Sequence, residues 1–131
     1  MVWYCDSSAL LKLVVAEPET AALEDAISTW HLVTSELSVA ELARAARRRG
    51  VPGLEAARQA LVRTDIMALD SEVLWMAAEI EPALLRTLDA IHLASALLLE
   101  GDCEGVITYD ARMAEAAHAA GLAVFAPGAD G

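Results

Sequence analysis

The sequence is short of aromatic residues, of positive charge, of cysteine and of long apolar runs, and each shortage excludes something. Aromatic side chains make up 5% of the 131 residues, and Trp3, Tyr4, Trp30 and Trp75 are too dispersed for the stacking platform by which single-strand binders hold bases. They are expected in the core or at an interface. Nine Lys and Arg against 20 Asp and Glu leave a formal charge of −11, the wrong sign for a protein that grips duplex nucleic acid by charge alone. Cys5 and Cys103 have no second Cys or His at metal-ligand spacing, so neither a thiolate zinc site nor a disulfide framework is suggested, and a cytoplasmic setting fits. Apolar runs such as 9–11 and 97–99 fall far short of the roughly 20 residues that cross a bilayer, and no basic leader precedes Asp6, so no membrane association is expected. What is present is an ordinary globular composition, 56% apolar and 22% charged, at a length that suits one domain over 1–131.

Residues 2–5 are a β-prone run followed at once by Asp6, Ser7, Ser8 and an apolar helical stretch, 9–15. A second helix starts around Glu17, Pro18 and Glu19 and runs to near Trp30. A strand at 31–33 follows, with Thr34 or Ser35 as cap of a helix whose apolar stripe is Leu37, Val39, Ala40, Leu42, Ala43 and Ala46, stopped by Gly50 and Pro52. Helix 54–63, strand 66–69, and a helix from Asp70 or Ser71 to Ile80 come next. Thr87 is expected to cap helix 88–99, which leads to strand 106–109. Asp110 then starts a helix ended by Gly121, strand 122–125 follows, and a small-residue tail occupies 126–131. Five short strands separated by helices predict an α/β fold, a parallel sheet covered on both faces, with its ligand site beyond the carboxyl ends of the strands.

That rule singles out the acids. Asp6 and Asp110 each follow a strand candidate, and Asp89 lies in the first turn of its helix, so all three have a simple account as caps or dipole partners. Glu41 does not, because it sits in a second helical turn; its simple account is an ion pair with Arg44 or Arg48. A shared pocket is the alternative that covers all four. Gathered carboxylates repel and raise one another's pKa unless a cation neutralises them, and a hard ion such as Mg²⁺ or Mn²⁺ takes carboxylate and water ligands while meeting substrate phosphates. Phosphodiester hydrolysis is the chemistry that such a site supports, with Ser8 and Thr108 bonding the ligand carboxylates or waters on the metal.

The segments YCDSSALLKL (4–13), SVAELARA (38–45), LRTLDAIHLASA (85–96) and VITYDARM (106–113) resemble the signature blocks of PIN-domain ribonucleases, and among these the VapC toxins of toxin–antitoxin pairs. The resemblance implies a three-layer α/β/α domain with sheet order 3-2-1-4-5 and an endoribonuclease with Asp6, Glu41, Asp89 and Asp110 around Mg²⁺ or Mn²⁺. It further implies a structured RNA substrate such as tRNA or rRNA, a homodimer, and inhibition by a VapB-type antitoxin that pushes an Arg into the acidic pocket. Some members carry a further acid two residues after the fourth, where this sequence has Arg112, which puts a complete second metal site in question.

Four of the nine cations, Arg44, Arg47, Arg48 and Arg49, fall at one helix end, where the dipole alone favours them; the alternative is contact with RNA. Lys12, Arg86 and Arg112 are further candidates for RNA or antitoxin contact. His92, one turn after Asp89, reads as a packed, hydrogen-bonded residue and receives no catalytic role. Cys5 has the opposite strand parity to Asp6 and is expected to point away from the acids. The Ala-rich stretch 40–46 suits a dimer or a groove for a partner helix. Two other functions compete: an aspartyl-phosphate enzyme at Asp6, which lacks an Asp at position 8, and a degenerate PIN module that binds a partner or RNA without catalysis.

Overall fold

The computed structural model describes residues 1–129, so the last two residues of the small-residue tail lie outside it. In chain order the elements are β1 (Val2–Cys5), α1 (Ser7–Val14), α2 (Thr20–Ile27), β2 (His31–Ser35), α3 (Glu36–Ala46), α4 (Gly50–Val62), β3 (Thr64–Met67), α5 (Ser71–Glu79), α6 (Thr87–Leu98), β4 (Gly105–Ile107), α7 (Ala111–Ala119) and β5 (Ala123–Phe125), with single 3₁₀ turns at Arg47–Arg49 and Glu100–Asp102. The five strands are parallel in the order β3-β2-β1-β4-β5, and this is the predicted α/β architecture.

Strand parity divides the core. Trp3 and Cys5 of β1, Leu32 of β2 and Ile107 of β4 face one side, where Leu10, Leu23, Ile27, Leu42, Ala46, Ala57 and Ala60 from α1 to α4 cover them. Tyr4 and Val106 face the other, under Leu93 and Ala96 of α6 and Met113, Ala116 and Ala117 of α7. Val73 of α5 packs on Ile91 and Ala94 of α6. β1 is the central strand, first made and flanked on both edges, so Asp6 at its end stands at the middle of the carboxyl edge.

Several boundaries differ from expectation because side chains capture the backbone. β3 ends at Met67, not 69, since the Leu69 N–H donates to the Glu36 carboxylate at 2.7 Å. β4 stops at Ile107, because the Tyr109 N–H leaves the ladder for Ser8 Oγ. Thr87 is the first residue of α6 and caps nothing; Arg86 occupies the cap position, and its side chain makes no capping bond. α2 ends at Ile27, three residues before Trp30. The buried line of α3 is Ser38, Leu42 and Ala46, at intervals of four, while Val39 and Ala40 face outward.

Gly50 ends the 3₁₀ turn that extends α3, as expected, and together with Pro52 it also opens α4 at once. Gly50 takes φ +69°, a turn that L side chains resist, and Pro52 lies in the first helical turn, where its missing N–H costs no hydrogen bond. At Gly53 an added Cβ would stand 2.4 Å from the Ala46 carbonyl oxygen, so only glycine lets α4 fold back this closely on the end of α3. Trp3 and Trp30 are not dispersed either. Pairing of β1 with β2 stacks their rings at 4.8 Å, with Phe125 tilted against both, whereas Trp75 is 74% exposed.

Candidate active site

Asp6 closes β1 and caps α1, accepting the Ala9 N–H at 3.1 Å. Its carboxylate also accepts from Ser8 Oγ at 2.6 Å and from Thr108 Oγ1. Both hydroxyl protons are aimed by the backbone: Ser8 Oγ accepts the Tyr109 N–H and Thr108 Oγ1 the Asp110 N–H, which leaves each hydroxyl to donate to Asp6. Three donors occupy three of the roughly four lone-pair sites of a carboxylate, so one stays free. Asp6 is 4% exposed. Burial pushes its carboxyl above the ordinary range, opposed by the Ser8 and Thr108 hydroxyls, which favour the ionised form.

Glu41 projects from α3 to the same place. Its partner is neither Arg44 nor Arg48, as ion pairing within the helix would require, but His92 Nε2, 2.7 Å from Oε1. A carboxylate only accepts, so Nε2 carries the proton, and in the neutral ring Nδ1 then accepts from the Tyr4 hydroxyl at 2.6 Å. Burial raises the Tyr4 phenol far above its ordinary value, which keeps that donor proton in place. His92 is thus packed and hydrogen-bonded, as expected, and it also lines the pocket and orients Glu41.

Asp89, buried in the first turn of α6, accepts Arg86 Nε at 2.9 Å, and Asp110 accepts Arg86 Nη2 at 3.2 Å. The other Asp110 oxygen caps α7, taking the Arg112 and Met113 N–H groups. Capping and pocket membership are therefore compatible roles for one carboxylate. Asp6, Ser8, Glu41, Arg86, Asp89, His92 and Asp110 line one pocket of about 280 Å³ at the carboxyl edge of the sheet. All four predicted acids are brought together, although among the described residues no three His, Cys, Asp or Glu side chains already converge on one ion position.

The predicted cations separate. Arg86 lies inside the pocket. Lys12 does not line it: its ammonium bonds Glu19 at 2.7 Å and lies 3.3 Å from Glu17. Arg44, Arg47 and Arg48 line a concavity that shares Glu41 with the acidic pocket, and Arg112 lines an apolar groove beside Arg86 and Asp89. Cys5 points into the α1 to α4 core, away from the acids.

Comparison with known proteins agrees with this fold. A PIN-domain profile matches residues 3–119. Ribonuclease VapC46 of Mycobacterium tuberculosis (strain ATCC 25618 / H37Rv) is 46% identical over 125 residues, covering 95% of this chain and 96% of that protein. Ribonuclease VapC47 of Mycobacterium tuberculosis (strain CDC 1551 / Oshkosh) is 40% identical over 136 residues, covering 96% and 97%. Among solved structures, Mycobacterium tuberculosis VapC20, described as a toxin cleaving the sarcin-ricin loop, superposes with a TM-score of 0.71 at 15% identity over 97% of this chain and 100% of that one. A toxin–antitoxin complex from Klebsiella pneumoniae superposes at 0.69 with 20% identity, covering 86% and 89%. With the sheet order, the four acids at its carboxyl edge and these relatives in agreement, the chain belongs to the PIN-domain family, among its VapC ribonucleases.

Proposed function

We propose that the protein is a metal-dependent endoribonuclease, the toxin of a toxin–antitoxin pair, with Asp6, Glu41, Asp89 and Asp110 as its catalytic acids. The observation that carries this reading is the convergence of four acids from four separate segments in one pocket. The donor set suits a hard divalent ion such as Mg²⁺ or Mn²⁺, being carboxylate only, with a free lone-pair site on Asp6. Among the described residues no Lys or Arg bonds Asp6 or Glu41, so these are the acids whose charge a bound cation would neutralise. When bound, the metal would activate a water and offset charge on the phosphate under attack. The chain's own residues set the frame: Ser8 and Thr108 orient Asp6 and favour its ionised form against burial, and His92 aims Glu41.

Arg86 lies over Asp89 and Asp110, a place that suits a phosphate once those acids have another counter-charge. The relatives are named ribonucleases, and the structural neighbours include a toxin–antitoxin complex, which supports RNA as substrate and a VapB-type antitoxin as partner. The outward strip of Val39 and Ala40 on α3 and the exposed Trp75 and Leu84 are surfaces for a homodimer or for that antitoxin. No helix of the described residues is long and apolar enough to cross a membrane.

The test is cleavage of total RNA by purified, antitoxin-free protein with Mg²⁺, Mn²⁺ or EDTA, beside Asp6→Asn. Metal-dependent fragments are expected from the wild type and a loss of about 100-fold or more from the variant, with unchanged thermal stability. Fragments that persist in Asp6→Asn or in EDTA would overturn the reading. A protein that cuts nothing and shows no saturable Mn²⁺ binding would be the degenerate module instead.

A further inference from the structure

Glu41 belongs to two concavities. On one side it faces the acidic pocket, and on the other it walls a wider hollow of about 590 Å³ together with Arg44, Ala45, Arg47 and Arg48. The chain has nine cationic side chains, and four of them are engaged by acids: Lys12 by Glu17 and Glu19, Arg58 by Glu55, Arg63 by Glu24, and Arg86 by Asp89 and Asp110. Of the other five, Arg44, Arg47, Arg48 and Arg49 stand together at the end of α3 and its 3₁₀ turn. Among the described residues these four guanidinium groups have no carboxylate within 4 Å and no hydrogen bond to the carbonyls that end α3. Neither ion pairing nor capping of the helix end accounts for them. The tight corner made by Gly50 and Gly53 fixes the turn in place.

We propose that this arginine turn is the docking surface for the RNA backbone, which leads a strand past Glu41 into the acidic pocket. The inference rests on the ribonuclease reading and adds the path of the substrate. A chain of charge −11 repels a polyanion at long range, so attraction has to be local and close to the chemistry. Guanidinium forks match phosphate oxygens in pairs, and unengaged ones bind without first breaking another contact.

The test titrates a short fluorescein-labelled oligouridylate with the full chain in EDTA, by anisotropy, at several salt concentrations. Arg47→Gln/Arg48→Gln is expected to weaken binding about tenfold at low salt and to lower the salt slope by about 1.4, two phosphate contacts at about 0.7 each. Arg58→Gln/Arg63→Gln makes the same change in net charge from engaged arginines and is expected to leave both unchanged. Equal losses in the two variants, or none in the first, overturn the proposal. Arg44→Gln gives a milder version of the same test if the double variant unfolds early on heating. Displacement of nothing by a polyglutamate peptide is expected; a peptide that binds where the oligonucleotide does not would reassign the surface to an acidic protein. Cleavage assays separate this inference from its parent. Normal cutting by Arg47→Gln/Arg48→Gln sinks the docking path alone, whereas a wild type that binds through these arginines yet cuts no RNA sinks the nuclease reading and leaves the surface standing.

Discussion

Asp6 and the Asp89–Asp110 pair face one pocket but are held in different ways. Asp6 is buried and stabilised by neutral donors, a backbone amide and two hydroxyls, each hydroxyl fixed by a further bond behind it. Asp89 and Asp110 are held by the charged Arg86, whose side chain is 53% exposed. Bringing a cation to a buried carboxylate costs desolvation of both partners, whereas oriented dipoles come with the fold and need no such expense. Arg86 keeps about half its side chain in water while it reaches the buried Asp89 and the part-exposed Asp110, so it is the cheaper partner and a replaceable one. The pocket thus has a preorganised inner wall and an exchangeable outer one.

The sharpest way to break that comparison is His92→Ala. It leaves the Glu41 carboxylate and the Tyr4 hydroxyl without their shared partner in a buried site, and urea unfolding is expected to show a loss of about 3 kcal/mol. Tyr4→Phe removes only the deeper of the two bonds and is expected to cost about 1 kcal/mol. A His92→Ala loss no larger than this would mean that the inner wall is not the rigid one. Thr108→Val comes next. It strips Asp6 of one hydroxyl and leaves the Asp110 N–H unpaired, for about 1–3 kcal/mol, with the Asp6 carboxyl moving further up on titration by NMR.

On the outer wall, Arg86→Gln is expected to change stability by less than about 1 kcal/mol, because exposed ion pairs contribute little. A loss as large as that of Thr108→Val would erase the distinction between the walls. The smallest effect comes from a pair outside the pocket. The Glu19 carboxyl is lowered by Lys12, so its contribution is present above the ordinary carboxylate range and is lost as pH falls through the lowered value. Lys12 is raised, chiefly by Glu19, and its contribution is lost only as pH climbs past its raised value. The melting difference between wild type and Lys12→Gln is therefore expected to be greatest between about pH 5 and 9 and to vanish in acid once the pH lies below the lowered Glu19 value.

The acids were legible because each carries a local signal. Asp6 and Asp110 follow apolar runs directly, and Glu41 sits where no cap is needed. That Asp6 and Asp110 are caps as well as pocket acids shows that the two accounts were never exclusive. The partners of His92 were not legible, since Tyr4 and Glu41 are 88 and 51 residues away and only the pairing of α6 against β1 and α3 brings them together. Strand ends were misplaced for a similar reason. Glu36 and Ser8 take backbone N–H groups from distant segments, and nothing near Leu69 or Tyr109 announces this. The arginine turn was visible as a run of charge, but whether those arginines were engaged depended on which acids lay nearby.

The bond from Thr108 to Asp6 joins residues 102 positions apart. A ribosome adding about 5–20 residues per second needs about 5–20 s to span that interval. During this time β1 has no β4 beside it, and the fourth acid has not been made. A growing chain therefore lacks part of the acidic pocket until nearly all of it has emerged, and a transcript broken before codon 110 yields a product without the fourth acid.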